Sequence, residues 1–250
     1  MKALVVANWK MNPPTLKEAK ALFDETKRMT GLLRGITAVV APPALFVRPL
    51  AEGVRKGRVA FAVQNAHFEA DGAHTGEIAM QQAHDCGATY VLIGHAERRE
   101  LGETNDDTRK KIAAALSVGL TPILCVGEKS REGGAEHFNF VREQLRTALA
   151  DVPEKKLSKV VVVYEPLWTI GKDSTMQPRD MHEMSIFIRK VVVEKFGDAG
   201  HSLTILYGGS VDASSAPTML RDGDVKGLLV GRASWKADTM TELLRAINDA

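Results

Sequence analysis

A carboxylate that directly follows a strongly apolar run is the first candidate for chemistry in this chain. Glu165 comes after Val160–Val163 and Tyr164, a segment too apolar for a strand with one face in water. Such a run predicts a parallel strand that is buried on both faces. Pro166 favours an extended backbone at Glu165, because the proline ring clashes with a helical preceding residue. The pattern is typical of a general base at a strand end, and equally of a carboxylate that caps a helix or pairs with a surface lysine.

Other candidate residues also follow predicted strands. The polar or glycine-rich segments at predicted strand ends are Asn8-Trp9-Lys10, Gly94-His95-Ala96-Glu97, Glu165, Gly208-Gly209-Ser210 and Gly231-Arg232-Ala233-Ser234. In a barrel of parallel strands, residues at the carboxyl ends of the strands face one shared pocket. A carboxylate, an imidazole and an ammonium group would therefore meet there. Each segment alone has an ordinary structural explanation, but their convergence at one end of a barrel favours an active site.

The two glycine turns, Gly208-Gly209-Ser210 and Gly231-Arg232, predict a phosphate site. Their backbone N–H groups can approach a ligand without a Cβ atom in the way, and each turn is expected to enter a helix whose N-terminus adds partial positive charge. Loops after strands 7 and 8 of such barrels commonly bind phosphate. The sequence has no HExxH motif and no paired carboxylates at a metal-binding spacing, so we expect neither a metal nor a cofactor. These residues predict proton transfer by side chains on a small phosphorylated substrate.

Short apolar runs alternate with helical patterns, so a fold of the α/β class is expected, a single (β/α)8 barrel domain over residues 1–250. Thr15 and Thr104 each begin a capping-box pattern before a predicted helix. The alternative, an open doubly wound sheet, is disfavoured because no G-x-G-x-x-G motif follows the first strand. The predicted strands are Leu4–Ala7, Ala38–Val40, Val59–Val63, Thr89–Ile93, Ile123–Val126, Val160–Tyr164, Leu203–Tyr207 and Leu228–Val230.

The composition argues against several classes of function. The chain has 250 residues, 44% of them hydrophobic, and a net charge of +2, so no strong field would attract nucleic acid or an anionic membrane. No apolar run approaches the roughly 18–20 residues of a membrane span, and the stretch Ala3–Ala7 is too short for a signal peptide. Cys86 and Cys125 lie in apolar surroundings without a CxxC or Cys/His cluster, which indicates free buried thiols and a cytoplasmic setting.

Motifs along the whole chain match one known family. They are Asn8-Trp9-Lys10-Met11-Asn12, Gln64-Asn65, Thr75-Gly76-Glu77, Ile93-Gly94-His95, Glu97-Arg98-Arg99, Cys125-Val126-Gly127-Glu128, Tyr164-Glu165-Pro166, Trp168, Ile170-Gly171 and Tyr207-Gly208-Gly209-Ser210. Together these motifs are highly specific, and the chain resembles the triosephosphate isomerase family. The resemblance implies a TIM barrel that interconverts dihydroxyacetone phosphate and D-glyceraldehyde 3-phosphate through an enediol(ate), in glycolysis and gluconeogenesis.

The resemblance also implies a role for each candidate residue. Glu165 would take a proton from one carbon and return it to the next, while a neutral His95 donates to the developing enediolate oxygen. Lys10 would supply positive charge, with Asn8 positioning the substrate oxygens and Glu97 orienting Lys10. The phosphate would be bound by backbone N–H groups of Gly171, Ser210, Gly231 and Arg232. A lid over the site would comprise Pro166, Leu167, Trp168, Thr169, Ile170, Gly171, Lys172, Asp173, Ser174, Thr175 and Met176.

The loop at residues 65–77, together with the family resemblance, predicts a homodimer. It is longer than the roughly 2–6 residues usual for such a connection. The resemblance implies that the loop inserts into a partner subunit, where Thr75 reaches the active site of the partner. His74 stands where the family often has a bulky aromatic residue, so the dimer is expected to weaken when His74 is protonated at acidic pH. The expected interface residues are His74, Thr75, Gly76, Glu77 and Arg98.

Several positions depart from the family pattern. Ala96 stands where the family usually has serine, Asp173 replaces a second lid glycine, Ser174-Thr175-Met176 is an unusual lid end, and Arg232 replaces the second glycine of a pair. These departures leave open a related enzyme that acts on a tetrulose phosphate, or a barrel that only binds a ligand. The Arg232 guanidinium could bind the phosphate directly or lie outward at the pocket mouth. We expect the outward direction, because a helix start already offers amides and its dipole to the phosphate and a close backbone approach leaves little room for a side chain.

Overall fold

The computed structural model describes residues 2–52, 54, 58–131, 134–169 and 176–250, and these residues form a closed barrel of parallel strands. Each strand pairs with the next along the chain, and the first also pairs with the last. The expected (β/α)8 barrel is therefore confirmed, and an open sheet is excluded because an open sheet leaves two edges unpaired. The strands are β1 (Ala3–Asn8), β2 (Ile36–Ala41), β3 (Val59–Val63), β4 (Tyr90–Ile93), β5 (Thr121–Val126), β6 (Val161–Tyr164), β7 (Thr204–Tyr207) and β8 (Gly227–Val230).

Helices connect the strands and cover the outside of the barrel. The α-helices of the described residues are α1 (Leu16–Leu32), α2 (Ala44–Ala51), α3 (Met80–Asp85), α4 (Ala96–Glu100), α5 (Asn105–Ser117), α6 (Glu136–Ala148), α7 (Pro178–Phe196), α8 (Ala216–Asp222) and α9 (Ala237–Asn248). Short 3-10 helices occur at Glu154–Lys159, Leu167–Thr169, Gly197–Ser202 and Arg232–Ser234.

The two helix starts predicted at Thr15 and Thr104 are both found, with different capping. At α5 the capping box is complete: Thr104 Oγ1 accepts from the Asp107 N–H at 3.1 Å, and the Asp107 carboxylate accepts from the Thr104 N–H at 2.9 Å. At α1, Thr15 Oγ1 accepts from the Glu18 N–H at 3.3 Å. The reciprocal bond, from the Thr15 N–H to the Glu18 carboxylate, is not found among the described residues. Glu18 is exposed, so water can solvate its carboxylate in place of the backbone.

Two apolar layers surround the strands, and β6 contributes to both. Val161 and Val163 belong to the cluster that fills the inside of the barrel, whereas Val160 and Val162 belong to the layer beneath the helices. All four side chains are at most 6% exposed. The prediction of a strand buried on both faces is confirmed, and this burial fixes the point from which Glu165 emerges.

Three further sequence-based expectations can be compared with the described residues. No helix in them combines the length and apolar character needed to cross a membrane. That part of the chain also contains no group of three or more His, Cys, Asp or Glu side chains arranged for a metal ion. Cys125 is a buried free thiol as expected, whereas Cys86, directly after α3, is a free thiol that is only half-buried.

Candidate active site

The backbone of Glu165 is fixed by contacts with the loop after β5. Its N–H donates to the carbonyl oxygen of Val126 at 2.7 Å. Gly127 lies so close that a Cβ atom there would be 1.8 Å from the carbonyl oxygen of Glu165. Glycine is therefore required at position 127, since any side chain would push the two loops apart and move Glu165.

The carboxylate of Glu165 is almost completely buried and lies at the start of α4. The residue is 2% exposed. Its Oε2 accepts from the backbone N–H of Ala96 at 3.2 Å, and its Oε1 lies 3.4 Å from Nε2 of His95. Position 96 contacts the carboxylate through its backbone, so this contact does not need the serine hydroxyl that the family usually has there.

The imidazole of His95 is held in one tautomer by the same short helix. His95 is the N-cap of α4, and its Nδ1 accepts from the backbone N–H of Glu97 at 3.2 Å. A nitrogen that accepts a hydrogen bond carries no proton, so the ring is neutral and its proton is on Nε2. Nε2 is the nitrogen that faces Glu165, and it can donate to a ligand oxygen.

The ammonium group of Lys10 reaches the same region from the loop after β1. Lys10 has a left-handed backbone with φ of 52°, which costs a non-glycine residue about 1–3 kcal/mol. Two contacts stabilise this conformation: the Lys10 N–H donates to Asn8 Oδ1 at 3.0 Å, and Gln64 Nε2 donates to the Lys10 carbonyl oxygen at 2.8 Å. Nζ donates to Glu97 Oε1 at 2.6 Å. Glu97 therefore contacts both Lys10 and His95, whose Nδ1 lies 3.9 Å from Glu97 Oε2.

The first glycine turn is required for packing inside the protein. A Cβ atom at Gly208 would lie 2.8 Å from Cγ of Glu165, and one at Gly209 would lie 2.1 Å from the hydroxyl oxygen of Tyr207. The expectation that this turn enters a helix is wrong, because residues 211–215 separate Ser210 from the start of α8. Residues 211–215 form a separate turn before α8. The Asp212 carboxylate stabilises this turn, because it accepts hydrogen bonds from the N–H groups and hydroxyls of the serines at 214 and 215.

The second glycine turn leads into a single turn of 3-10 helix, Arg232–Ser234. The α-helix that follows begins only at Ala237. Arg232 is exposed, and its Nη2 lies 3.5 Å from Oγ of Ser210 in the first glycine turn. The side chain therefore extends across the gap between the loops after β8 and β7.

These groups share one cavity of about 710 Å³ at the carboxyl ends of the strands. Glu165, His95 and Lys10 line it together with both glycine turns. The residues that line it are Asn8, Lys10, His95, Glu97, Glu165, Gly208, Gly209, Ser210, Val211, Asp212, Ala213, Leu229, Gly231, Arg232, Ala233, Trp235, Thr239 and Glu242.

Comparison with known proteins identifies the family. Residues 3–247 match the model of the family described as triosephosphate isomerase. The chain belongs to the triosephosphate isomerase family. It is 38% identical over 249 residues to the triosephosphate isomerase of Lawsonia intracellularis, covering 98% of each chain. It is 36% identical over 247 residues to that of Endomicrobium trichonymphae, covering 98% of each, and 36% identical over 245 residues to that of Trichlorobacter lovleyi, covering 97% of each.

Within this family assignment, the first part of the expected lid is anchored by Glu128. Its carboxylate accepts from the Trp168 indole Nε1 at 2.9 Å and from the Tyr164 hydroxyl at 2.7 Å, and its carbonyl oxygen accepts from the Leu167 N–H at 3.0 Å. Burial raises the pKa of Tyr164, and the neighbouring Glu128 carboxylate raises it further. At the other end of the expected lid, the Met176 N–H donates to the Tyr207 hydroxyl at 3.3 Å. The other expected lid residues, Ile170, Gly171, Lys172, Asp173, Ser174 and Thr175, lie outside the described residues, as does the expected phosphate contact of Gly171.

The loop expected at a subunit interface is exposed in the chain. Residues 71–77, which include Thr75, Gly76 and Glu77, are all exposed. The His67 ring stacks on Phe68 and on His74, with centroid distances of 4.4 and 4.3 Å. Two apolar side chains at the same end of the barrel are also exposed, Met11 by 92% and Leu45 by 86%. Arg98 is half-buried, with Nε 3.7 Å from Oε2 of Glu103.

Sequence reasoning left three positioning residues without a role. Gln64 and Glu128 were noted only as parts of family motifs, and Arg131 was not noted. Arg131 donates to Glu128 Oε1 at 3.2 Å, and its guanidinium lies 5.7 Å from the centroid of the Trp168 ring. Their polar side chains give no local pattern that would separate them from solvated surface residues, so only the contacts reveal what they position.

Proposed function

We propose that this chain interconverts dihydroxyacetone phosphate and D-glyceraldehyde 3-phosphate, as a step of glycolysis and gluconeogenesis. Membership of the triosephosphate isomerase family makes it an enzyme of triose phosphate isomerisation. The observation that carries the detailed proposal is the 3.4 Å separation between Glu165 Oε1 and His95 Nε2, inside a cavity that Lys10 also lines. A base, a neutral hydrogen-bond donor and a cation are the groups that an enediolate intermediate requires.

In the proposed reaction, the buried carboxylate of Glu165 removes a proton from one carbon of the substrate. The electron pair of that C–H bond moves to form the enediolate, and the carbonyl oxygen gains negative charge. The Nε2–H of His95 donates a hydrogen bond to that oxygen. A proton also passes from the hydroxyl oxygen on the first carbon to the oxyanion on the second, so that the two oxygens exchange their roles. Glu165 then returns its proton to the neighbouring carbon, which completes the exchange of ketose and aldose with every proton accounted for.

The remaining groups would bind and shield the substrate. Lys10, oriented by Glu97, would add positive charge near the reacting oxygens, and Asn8 would position them. The N–H groups of Gly171, Ser210, Gly231 and Arg232 would bind the phosphate. A lid formed by residues 166–176 would exclude water, which would otherwise compete for the reactive intermediate.

A coupled assay of the purified protein tests this proposal. We expect rapid turnover of both triose phosphates and much slower turnover of a tetrulose phosphate. A preference for the tetrulose phosphate would replace the proposed substrate with a longer ketose. Binding of triose phosphate without turnover would reduce the chain to a barrel that only binds its ligand.

We also propose that residues 1–250 form one domain and that the protein acts as a cytoplasmic homodimer. The exposed part of the loop, residues 69–77, and the exposed Met11 and Leu45 support an interface at the end of the barrel that contains the cavity. His74, Thr75, Gly76, Glu77 and Arg98 would contribute to it. Analytical ultracentrifugation tests the assembly, and fully active monomers at micromolar concentration would contradict it.

A further inference from the structure

The cavity offers few cationic side chains to a ligand that carries a phosphate dianion. Among the described residues that line it, the cationic ones are Lys10 and Arg232. Lys10 is bound to Glu97 at 2.6 Å, close to His95 and Glu165. The carboxylates that line the same cavity are Glu97, Glu165, Asp212 and Glu242. Lys10 also approaches the second glycine turn, because a Cβ atom at Gly231 would lie 3.5 Å from its Cε, but its ammonium group is bound to Glu97. Arg232 is therefore the second cationic side chain near the two glycine turns, in a cavity whose other charged side chains are carboxylates.

Helix dipoles add less to this end of the cavity than the sequence predicted. The first glycine turn is separated from α8 by residues 211–215, and the second enters a 3-10 helix of three residues. The partial charge at a helix end arises from many aligned peptide units, so a three-residue turn supplies little of it. The expected outward direction of the Arg232 side chain rested on backbone amides, on that dipole and on limited room beside the ligand, and the contribution of the dipole is weaker than expected.

The Arg232 guanidinium lies where a phosphate would meet it. Its Nη2 is 3.5 Å from Oγ of Ser210, so the side chain spans from the loop after β8 to the loop after β7. A phosphate bound by the N–H groups of Ser210 and Gly231 would sit between these two loops. Arginine has several N–H donors in a planar fork, so it can contact Ser210 and a phosphate oxygen at the same time.

We propose that the Arg232 guanidinium donates directly to the phosphate of the substrate and selects phosphorylated ligands. The proposal rests on the proposed triose phosphate isomerisation, which brings a phosphate to the two glycine turns. Direct contact predicts an effect that depends on the phosphate and survives high salt. Long-range steering by an exposed charge would instead be screened beyond about 8–10 Å at physiological ionic strength.

The test compares Arg232→Gln with wild type, using glycerol 3-phosphate as a ligand that carries the phosphate but no carbonyl group. Titration calorimetry should show about tenfold or more weaker binding in the variant, at both low and high ionic strength. The kcat/KM for triose phosphate should fall similarly, mainly through KM. Arg232→Lys keeps the charge but loses the fork and should be intermediate.

Arg245→Gln is the matched control, because Arg245 is an exposed arginine on α9 that does not line the cavity. It removes the same charge and should leave binding of glycerol 3-phosphate unchanged.

Unchanged binding in Arg232→Gln, or a loss that disappears at high ionic strength, would overturn the proposal. If the wild-type protein still isomerises triose phosphate in that case, the proposed function stands and only the Arg232 contact is overturned. Conversely, binding that weakens in Arg232→Gln without any isomerisation by wild type would support the Arg232 contact and overturn the function.

Discussion

Glu165 and His95 approach each other from β6 and β4, and a backbone N–H group positions each of them. The N–H of Ala96 donates to the Glu165 carboxylate, and the N–H of Glu97 donates to the His95 ring. Both donors belong to the first turn of α4, whose N–H groups have no partner within the helix. This short helix therefore sets both the carboxylate orientation and the imidazole tautomer, and leaves Nε2–H as the donor that faces the cavity.

Replacing Glu165 with glutamine should remove most turnover while the fold persists. The amide is similar in size but cannot accept a proton, and a general base typically contributes about 10²–10⁴-fold to the rate. Steady-state kinetics in the coupled assay measures the loss, and circular dichroism checks the fold. Glu183→Gln, an exposed position on α7, should behave as wild type. A folded Glu165→Gln protein with a rate near wild type would show that another group is the base.

Replacing His95 with glutamine should lower kcat by about 10²–10³-fold, the usual cost of removing one donor to a developing oxyanion. The glutamine amide would lose the fixed position that the Glu97 N–H gives to the ring. The corresponding control is His182→Gln, which changes an exposed histidine on α7. Equal activity in the two variants would remove His95 from the proposed mechanism.

Among the elements, α5 shows how local sequence fixes a helix start. The capping box of Thr104 and Asp107 satisfies two backbone N–H groups that the helix itself cannot. Partial burial raises the pKa of Asp107, but hydrogen bonds from Thr104 and the charge of Lys111 lower it more, so the net pKa is below its ordinary value. Ionised Asp107 therefore contributes its full stabilisation of the folded protein above the ordinary aspartate pKa of about 3.9. This contribution is lost as the pH falls through the lower pKa that Asp107 has in the folded protein.

Thr104→Ala should lower the free energy of unfolding by about 1 kcal/mol at neutral pH. Urea denaturation of the variant and wild type measures the difference, which should shrink as the pH falls below about 4 because Asp107 becomes protonated. Ser117→Ala changes the other end of the same helix, where the exposed hydroxyl contacts the carbonyl oxygen of Ala114. Its effect should stay within about 0.5 kcal/mol. An equal loss in the two variants would contradict the assigned cap.

In the whole molecule, barrel closure gathers side chains from β1, β4, β6, β7 and β8 at one end, and the loop at residues 65–77 lies at that same end. The loop is ordered by a stack of Phe68, His67 and His74. His67 Nδ1 accepts from the Glu69 N–H at 3.0 Å, and Lys110 lies 5.1 Å from the Phe68 ring centroid. The stack thus places an ionisable ring, His74, directly before the expected interface residues Thr75, Gly76 and Glu77.

The proposed dimer should accordingly weaken in acid. Histidine gains its charge between about pH 5 and 8, so association is expected to be strongest above this range and to fall as the pH drops through it. His74→Phe keeps a stacked ring without a titratable group, and its dimer should resist acid better than wild type. Sedimentation velocity across this pH range measures both proteins. The same acid sensitivity in His74→Phe and wild type would assign the effect to other groups.

The sequence by itself determined the alternation of strands and helices, the burial of β6 on both faces and the family motifs. These features can be inferred from periodicity and residue type over short stretches, without knowing which distant segments come into contact. Glu165, His95 and Lys10 could be assigned to one site because parallel strands in a closed barrel place their carboxyl ends together.

The tertiary structure decided how those residues are held. The His95 tautomer, the backbone contact of Ala96 with Glu165 and the need for glycine at 127 and 208 all depend on distances between segments far apart in the chain. The glycines at 208 and 209 have a sequence pattern typical of ligand approach, yet the atoms that exclude a Cβ there include those of Glu165 and Tyr207. The separation of Ser210 from α8 and the direction of Arg232 towards Ser210 also required the packed loops, because a residue pattern carries no information about which loop a side chain will cross.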